Sequence, residues 1–244
     1  MLSPAKAMNG LMAYEFSMDI DRVFPAGFPR NDVFSLPSVD LRAKLGVDAK
    51  KIIIWYPTFR QNKRGSIVLP GSSLPLIHDK ENAIQLNETA KREDVLILLK
   101  PHFAQDSSYI QDQSLSNIWF IGDEFFAAYG FSSYEMLAAS DALITDYSSV
   151  YFDYTLADKP IAVVWEDIEE YRKNPGFALD LSYFLKGAEK IYTIDELCSF
   201  IIDVAHGKDL LQKERREIRD VVNFAVDGKS TERVVDFIVE KAKL

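Results

Sequence analysis

Cysteine is nearly missing from this chain of 244 residues, where Cys198 is the single thiol. One thiol excludes an internal disulfide and any multi-cysteine metal site. It fits a reducing compartment. Cys198 lies in an apolar helical run with Leu197, Phe200 and Ile201, so it reads as a core residue. Long hydrophobic runs are also missing: no stretch approaches the about 18 apolar residues that cross a membrane. The first twenty residues lack the charged-then-apolar pattern of a signal peptide. Positive charge is in deficit, with 28 Lys and Arg against 37 Asp and Glu, a net charge of -9. Such a chain is a poor partner for nucleic acid or an anionic lipid surface, because both repel it. The dinucleotide fingerprint Gly-x-Gly-x-x-Gly is absent. Gly228-Lys229-Ser230 is not a P-loop, because helical residues rather than a strand and a spaced glycine precede it.

What is present is ordinary globular composition, 48% hydrophobic and 27% charged, which predicts a buried core. Short apolar runs recur at residues 51–56, 95–99, 117–121, 142–145 and 161–165. None alternates with polar residues, which is how strands read when helices cover both sheet faces. Helical patterns separate them, at residues 39–45 (Ser38 as N-cap, Gly46 as stop), 76–92, 133–139 and 150–157. After Thr193 the pattern is wholly helical, over 194–206, 209–223 and 231–244. Strand–helix alternation predicts an α/β fold with a Rossmann-like, doubly wound parallel sheet. Ligands of such sheets bind beyond the carboxyl ends of the strands, where the strand order reverses.

The residues after each strand are therefore the candidates. Arg60 follows the first strand and can fork onto a phosphate, or stand as a surface arginine beside Lys63 and Arg64. Lys100-Pro101-His102 follows the second. The cation and the imidazole suit an anionic ligand, and His102 can donate a proton to a leaving phosphate; a solvated loop is the plain alternative. His78 and His206 read as surface residues. Thr145-Asp146-Tyr147-Ser148-Ser149 ends the fourth strand and opens a helix, a ready anion site or simple capping. Asp153 reads as a solvated helix carboxylate. The carboxylates at 166, 167, 169 and 170 read as a solvated face, with a sugar or ribose hydroxyl as the other reading. Asp227-Gly228-Lys229-Ser230-Thr231-Glu232-Arg233 is a further helix start.

These runs, together with Gly27-Phe28-Pro29-Arg30-Asn31-Asp32 and Tyr56-Pro57-Thr58-Phe59-Arg60, resemble the nucleotide-binding half of the CDP-glycerol glycerophosphotransferases, the teichoic acid primases and polymerases. The longest matching run spans residues 140–154, and Lys159-Pro160 and Tyr171-Arg172 follow in order. The resemblance covers residues 24–240 and implies the C-terminal lobe of a glycosyltransferase-B fold. On that reading residues 24–244 form the donor-binding domain, and residues 1–23 are a remnant of, or link to, an acceptor lobe. The resemblance implies transfer of a polyol phosphate, glycerol phosphate first, from a CDP-linked donor to a teichoic acid or related surface-polymer precursor, polyprenyl-linked or polymeric. His102 would assist departure of CMP. Arg60, Lys100, Asp146, Ser148, Ser149, Ser230, Thr231 and Arg233 would surround the donor phosphates, with no metal or other cofactor. The enzyme would be cytoplasmic, peripheral at the inner face of the membrane. Two departures stand out. The acceptor-lobe run Trp-His-Gly-Thr is absent, so either this is a fragment of a longer enzyme or a partner chain supplies that lobe. Position 100 is Lys rather than Arg, which keeps the charge and loses the fork. A nucleotide-sugar glycosyltransferase lobe and a non-catalytic nucleotide-binding module are the alternatives.

Overall fold

A computed structural model describes residues 1–58, 74–101, 114–173 and 181–242. The first two strands are short, β1 (Leu2–Ser3) and β2 (Phe24–Pro25), and pair in parallel with each other. The main sheet holds β3 (Lys51–Trp55), β4 (Val95–Leu99), β5 (Ile118–Phe120), β6 (Ala142–Thr145), β7 (Ile161–Val164) and β8 (Glu189–Ile191). All its pairings are parallel, and the spatial order is β5-β4-β3-β6-β7-β8. The chain builds outward from β3 to β5, returns to lay β6 beside β3, and builds outward again to β8. The order therefore reverses between β3 and β6. That is where an open doubly wound sheet leaves its crevice.

The continuous apolar runs are explained by two cores. Successive side chains of a strand point to opposite faces. Ile52, Ile54, Leu96, Leu98, Leu143, Ile161 and Val163 enter one cluster. Ile53, Trp55, Val95, Ile97, Leu99, Ala142, Ile144, Ala162 and Val164 enter the other. The second face is closed by α3 (Lys80–Arg92), through Ala83, Leu86 and Ala90, and by α9 (Ile194–Ala205). Cys198 on α9 is buried there, and burial raises its thiol pKa above the ordinary value. It is inert core, as its helical setting predicts.

The first face is covered in chain order by α1 (Asn9–Glu15) and the turn before it, α2 (Leu41–Leu45), α4 (Asp123–Tyr129), α5 (Ser133–Ala139), α6 (Val150–Tyr154) and α10 (Gln212–Val222). Short helices α7 (Ile168–Lys173) and α8 (Leu181–Phe184) lie between β7 and β8, and α11 (Ser230–Ala242) ends the described chain. Ala5 and Met8 belong to the first cluster, so the N-terminal segment packs on the same core as the sheet.

Most predicted boundaries hold within two or three residues. The helix at 39–45 begins later, since Asp40 rather than Ser38 caps it by accepting from Ala43 N, and Gly46 stops it at φ 66°. Residues 74–77 form a buried turn rather than the first turn of α3, because Asp79 caps that helix at Asn82. Strand β8 has no sequence reading of its own: it has three residues, and the charged pair Glu189-Lys190 conceals it. Thr193 and Glu196 form a reciprocal capping box that starts α9, which is why the helical pattern is legible from there onward.

Candidate functional site

Two aspartates bracket β6. At its amino end Asp141 accepts from Ile52 N at 2.8 Å, Arg42 Nη2 at 2.7 Å and Lys51 Nζ at 3.3 Å. At its carboxyl end Asp146 is 1% exposed and accepts from Thr58 N at 2.8 Å and from the Thr58 hydroxyl. Thr145 Oγ1 donates to Tyr56 O at 2.8 Å in the same place. The loops after β3 and β6 are thus tied together on the two sides of the strand-order reversal. Tyr147 then donates to the buried Asp167 at 2.8 Å, which joins the loop after β6 to the loop after β7. Glu166 accepts from Leu76 N at 2.9 Å and pairs with His78. Leu76 stands at φ 65°, a strained conformation that this carboxylate helps to hold. The carboxylates after β7 are therefore partly structural ties rather than a solvated face, and Glu166 already has protein partners.

Lys100, Asp146, Ser148 and Ser149 share this carboxyl edge, as the sequence predicts. Their freedom differs. The Asp146 carboxylate is buried on Thr58, so it orients the edge rather than facing solvent. Lys100 Nζ lies 3.4 Å from the exposed Asp123, a pairing weak enough to be given up to a ligand. Ser148 Oγ accepts from Val150 N at 3.4 Å. The Tyr151 and Phe152 N–H groups donate to the carbonyls of Ser148 and Ser149. Ser149 is exposed at the head of α6, and its side chain makes no capping hydrogen bond. Its hydroxyl is left available to a ligand, and the Ser148 hydroxyl, which only accepts here, keeps its own proton to donate. Arg60 and His102 lie outside the described residues.

Ser230, Thr231 and Arg233 belong to a different cluster. Asp32 accepts from Ser230 N at 2.8 Å and from Thr231 N and Oγ1 at 2.8 and 2.7 Å. A carboxylate of the chain itself occupies the helix start that the sequence offers to a phosphate, and the same physics selects it: unpaired N–H groups and the positive end of the helix dipole. Burial works to raise the Asp32 pKa, but the Thr231 and Ser230 hydrogen bonds outweigh it and hold the carboxyl below its ordinary value. Arg233 pairs with Asp227 and lies over the Phe224 ring. Gly27 makes room for Ser230: at φ 80°, an added Cβ would stand 2.4 Å from Ser230 Oγ.

Asp153 departs furthest from its sequence reading. It is 3% exposed. It accepts from Arg30 Nε at 3.2 Å and Nη2 at 3.0 Å, from Asn31 Nδ2 at 2.8 Å and from Tyr134 Oη at 2.7 Å. A helix carboxylate reads as solvated only while its partners are distant in sequence, and Arg30 is 123 positions away. Burial, and then the Asp153 charge, push the Tyr134 pKa well up. Lys159, before β7, donates to Ala138 O at 2.9 Å and to Ser140 O. It closes the end of α5 rather than reaching the carboxyl edge. Among the described residues no group of His, Cys, Asp and Glu is placed to hold a metal ion, and no helix is long and apolar enough to cross a membrane.

Comparison with known proteins places this geometry. The chain is 30% identical over 241 residues to a teichoic acid poly(ribitol-phosphate) polymerase of Bacillus spizizenii, covering 92% of this chain and 34% of that protein. It is 25% identical over 243 residues to a teichoic acid glycerol-phosphate primase of Bacillus subtilis, covering 96% and 55%. It thus spans about a third to just over half the length of these relatives. A solved structure of the wall teichoic acid polymerase TagF, soaked with CDPG, superposes with a TM-score of 0.77 at 24% identity, covering 99% of this chain and 57% of that one. The fold is therefore the glycosyltransferase-B lobe that the resemblance implies. The family profile described as CDP-Glycerol:Poly(glycerophosphate) glycerophosphotransferase matches residues 1–240, and the chain belongs to that family.

Proposed function

We propose that this chain supplies the donor-binding lobe of a transferase that moves a polyol phosphate, glycerol phosphate first, from a CDP-linked donor to a teichoic acid or related surface polymer. The observation that carries the reading is the family match over residues 1–240 on a sheet whose order reverses where the 145–149 run sits. The relatives named above are primases and polymerases of ribitol phosphate and glycerol phosphate. The donor diphosphate would lie across the carboxyl edge, near the Ser149 hydroxyl and Lys100, on loops that the Asp146–Thr58 tie holds in place.

In the reaction an acceptor hydroxyl attacks the donor phosphorus next to the polyol. The new P–O bond forms as the bond to the CMP oxygen breaks. His102 gives a proton to the departing CMP, and Arg60 and Lys100 offset its charge, with no metal required. The acceptor hydroxyl and its base would come from a part of the enzyme, or a partner chain, beyond this lobe. The reaction would take place in the cytoplasm, at the inner face of the membrane where a lipid-linked acceptor is exposed.

Calorimetric titration with CDP-glycerol, CDP, CMP and UDP, on wild type and His102→Ala, tests this. Saturable binding that prefers the cytidine diphosphates and weakens in the variant is the expected result. A preference for UDP would replace the reading with a nucleotide-sugar lobe. Absence of binding to all four would refute it for this chain.

A further inference from the structure

Gly27, Arg30, Asn31 and Asp32 all make long-range contacts, and the donor site does not use them. Two of them have structural roles that account for their identity: Gly27 admits Ser230, and Asp32 caps α11. Asn31 is buried and donates to Asp153. Arg30 is different. Its guanidinium is held on Asp153 Oδ2 through Nε and Nη2 and stands 4.3 Å from the Phe28 ring centroid and 5.6 Å from that of Tyr134. Yet 44% of its side chain is open to solvent, against 4% for Asp153.

A purely structural pair would not need that arrangement. Asp153 already receives Asn31 and Tyr134 hydrogen bonds, and an ion pair with so exposed a partner adds little stability. What the contacts do achieve is to fix the orientation of a fork with five N–H donors, only two of which are used on Asp153. An arginine whose rotamer is set beforehand gives up less entropy when it grips an oxyanion.

Its position points the same way. Asp153 lies four residues after Ser149 on one helical stretch, so the two share a face about 6 Å apart along the axis. Tyr134 lies in the first turn of α5, which runs back toward the start of β6 and so begins at the same carboxyl edge. Arg30 therefore stands at that edge on the side of the Ser149 hydroxyl.

We propose that Arg30 is a phosphate-contacting residue, forking onto an oxygen of the nucleotide diphosphate seated where the strand order reverses. The inference rests on the function proposed above and adds to it a cation from outside the βα loops. Asp153, Asn31 and Tyr134 are then positioning residues that act through it.

The test is calorimetric titration of the full chain with CDP and with cytidine, on wild type, Arg30→Gln, Arg30→Lys and Ser149→Ala, with thermal unfolding of each. Arg30→Gln should weaken CDP binding by about 10- to 100-fold, the loss expected of a charge-assisted hydrogen bond, and leave cytidine binding unchanged. Arg30→Lys should recover part of the CDP affinity, which also covers the case in which the Gln variant folds poorly. CDP affinity in folded Arg30→Gln within twofold of wild type, or equal weakening of CDP and cytidine, overturns the contact, even where Ser149→Ala shows that the site is real. If wild type binds no CDP, the proposed function fails and the Arg30 contact with it.

Discussion

Replacing Asp32 by alanine removes a carboxylate that joins the N-terminal segment to the start of α11. The Ser230 N–H loses its acceptor at a residue only 1% exposed, where water cannot replace it. Leaving such a buried donor unpaired costs about 1–3 kcal/mol. Thr231 is exposed, so its N–H and hydroxyl regain water. Loss of a negative charge at the helix start adds about 0.3–1 kcal/mol. The sum is about 1.3–4 kcal/mol, or a Tm lowered by about 3–16 °C for a domain of this size. Asp32→Asn should fall between, because its amide oxygen still serves one N–H while its NH2 opposes the other. The pH dependence has a definite sign. The folded-state pKa is depressed, so the unfolded chain binds the proton more readily. The stabilisation is present above the ordinary carboxyl value and is lost as pH falls through the lower folded value. Urea unfolding of wild type, Asp32→Ala and Asp32→Asn between pH 7 and pH 3 measures it. The gap between wild type and Asp32→Asn should stay constant down to about pH 4 and then close. A cost below about 0.5 kcal/mol for Asp32→Ala, or a gap that widens in acid, would refute the capping argument.

Asp146→Ala should cost about 1–3 kcal/mol in urea unfolding, since it strips a buried acceptor from Thr58, and should also weaken CDP binding by loosening the two edge loops. Wild-type stability in that variant would mean the tie is not what holds them. Gly187→Ala places a Cβ 2.5 Å from Arg215 Cα, a backbone atom that moves only if α10 moves. Differential scanning calorimetry should show about 1–3 kcal/mol of overpacking cost, and an unchanged Tm would show that α10 shifts freely.

The chain's local pattern determined much of this protein. Runs such as 95–99 and 142–145 are apolar at every position because helices close both sheet faces, so the doubly wound class and the strand bounds are legible without coordinates. Short-range caps are legible too, as in Thr193 with Glu196, because both partners lie within one helical turn. The carboxyl-edge residues at 100 and 146–149 follow from the same reading, since a parallel strand always delivers its next residue to the ligand side. Tertiary structure alone decided the partnerships. Asp153 looks like a solvated helix carboxylate until Arg30, Asn31 and Tyr134 surround it. Ser230 and Thr231 look like a phosphate cradle until Asp32 fills it from 198 positions away. Helix starts and carboxylates carry the same local signature whether their partner is a ligand, water or another part of the chain. Which of these occupies them depends on long-range packing, and composition and spacing hold no record of that.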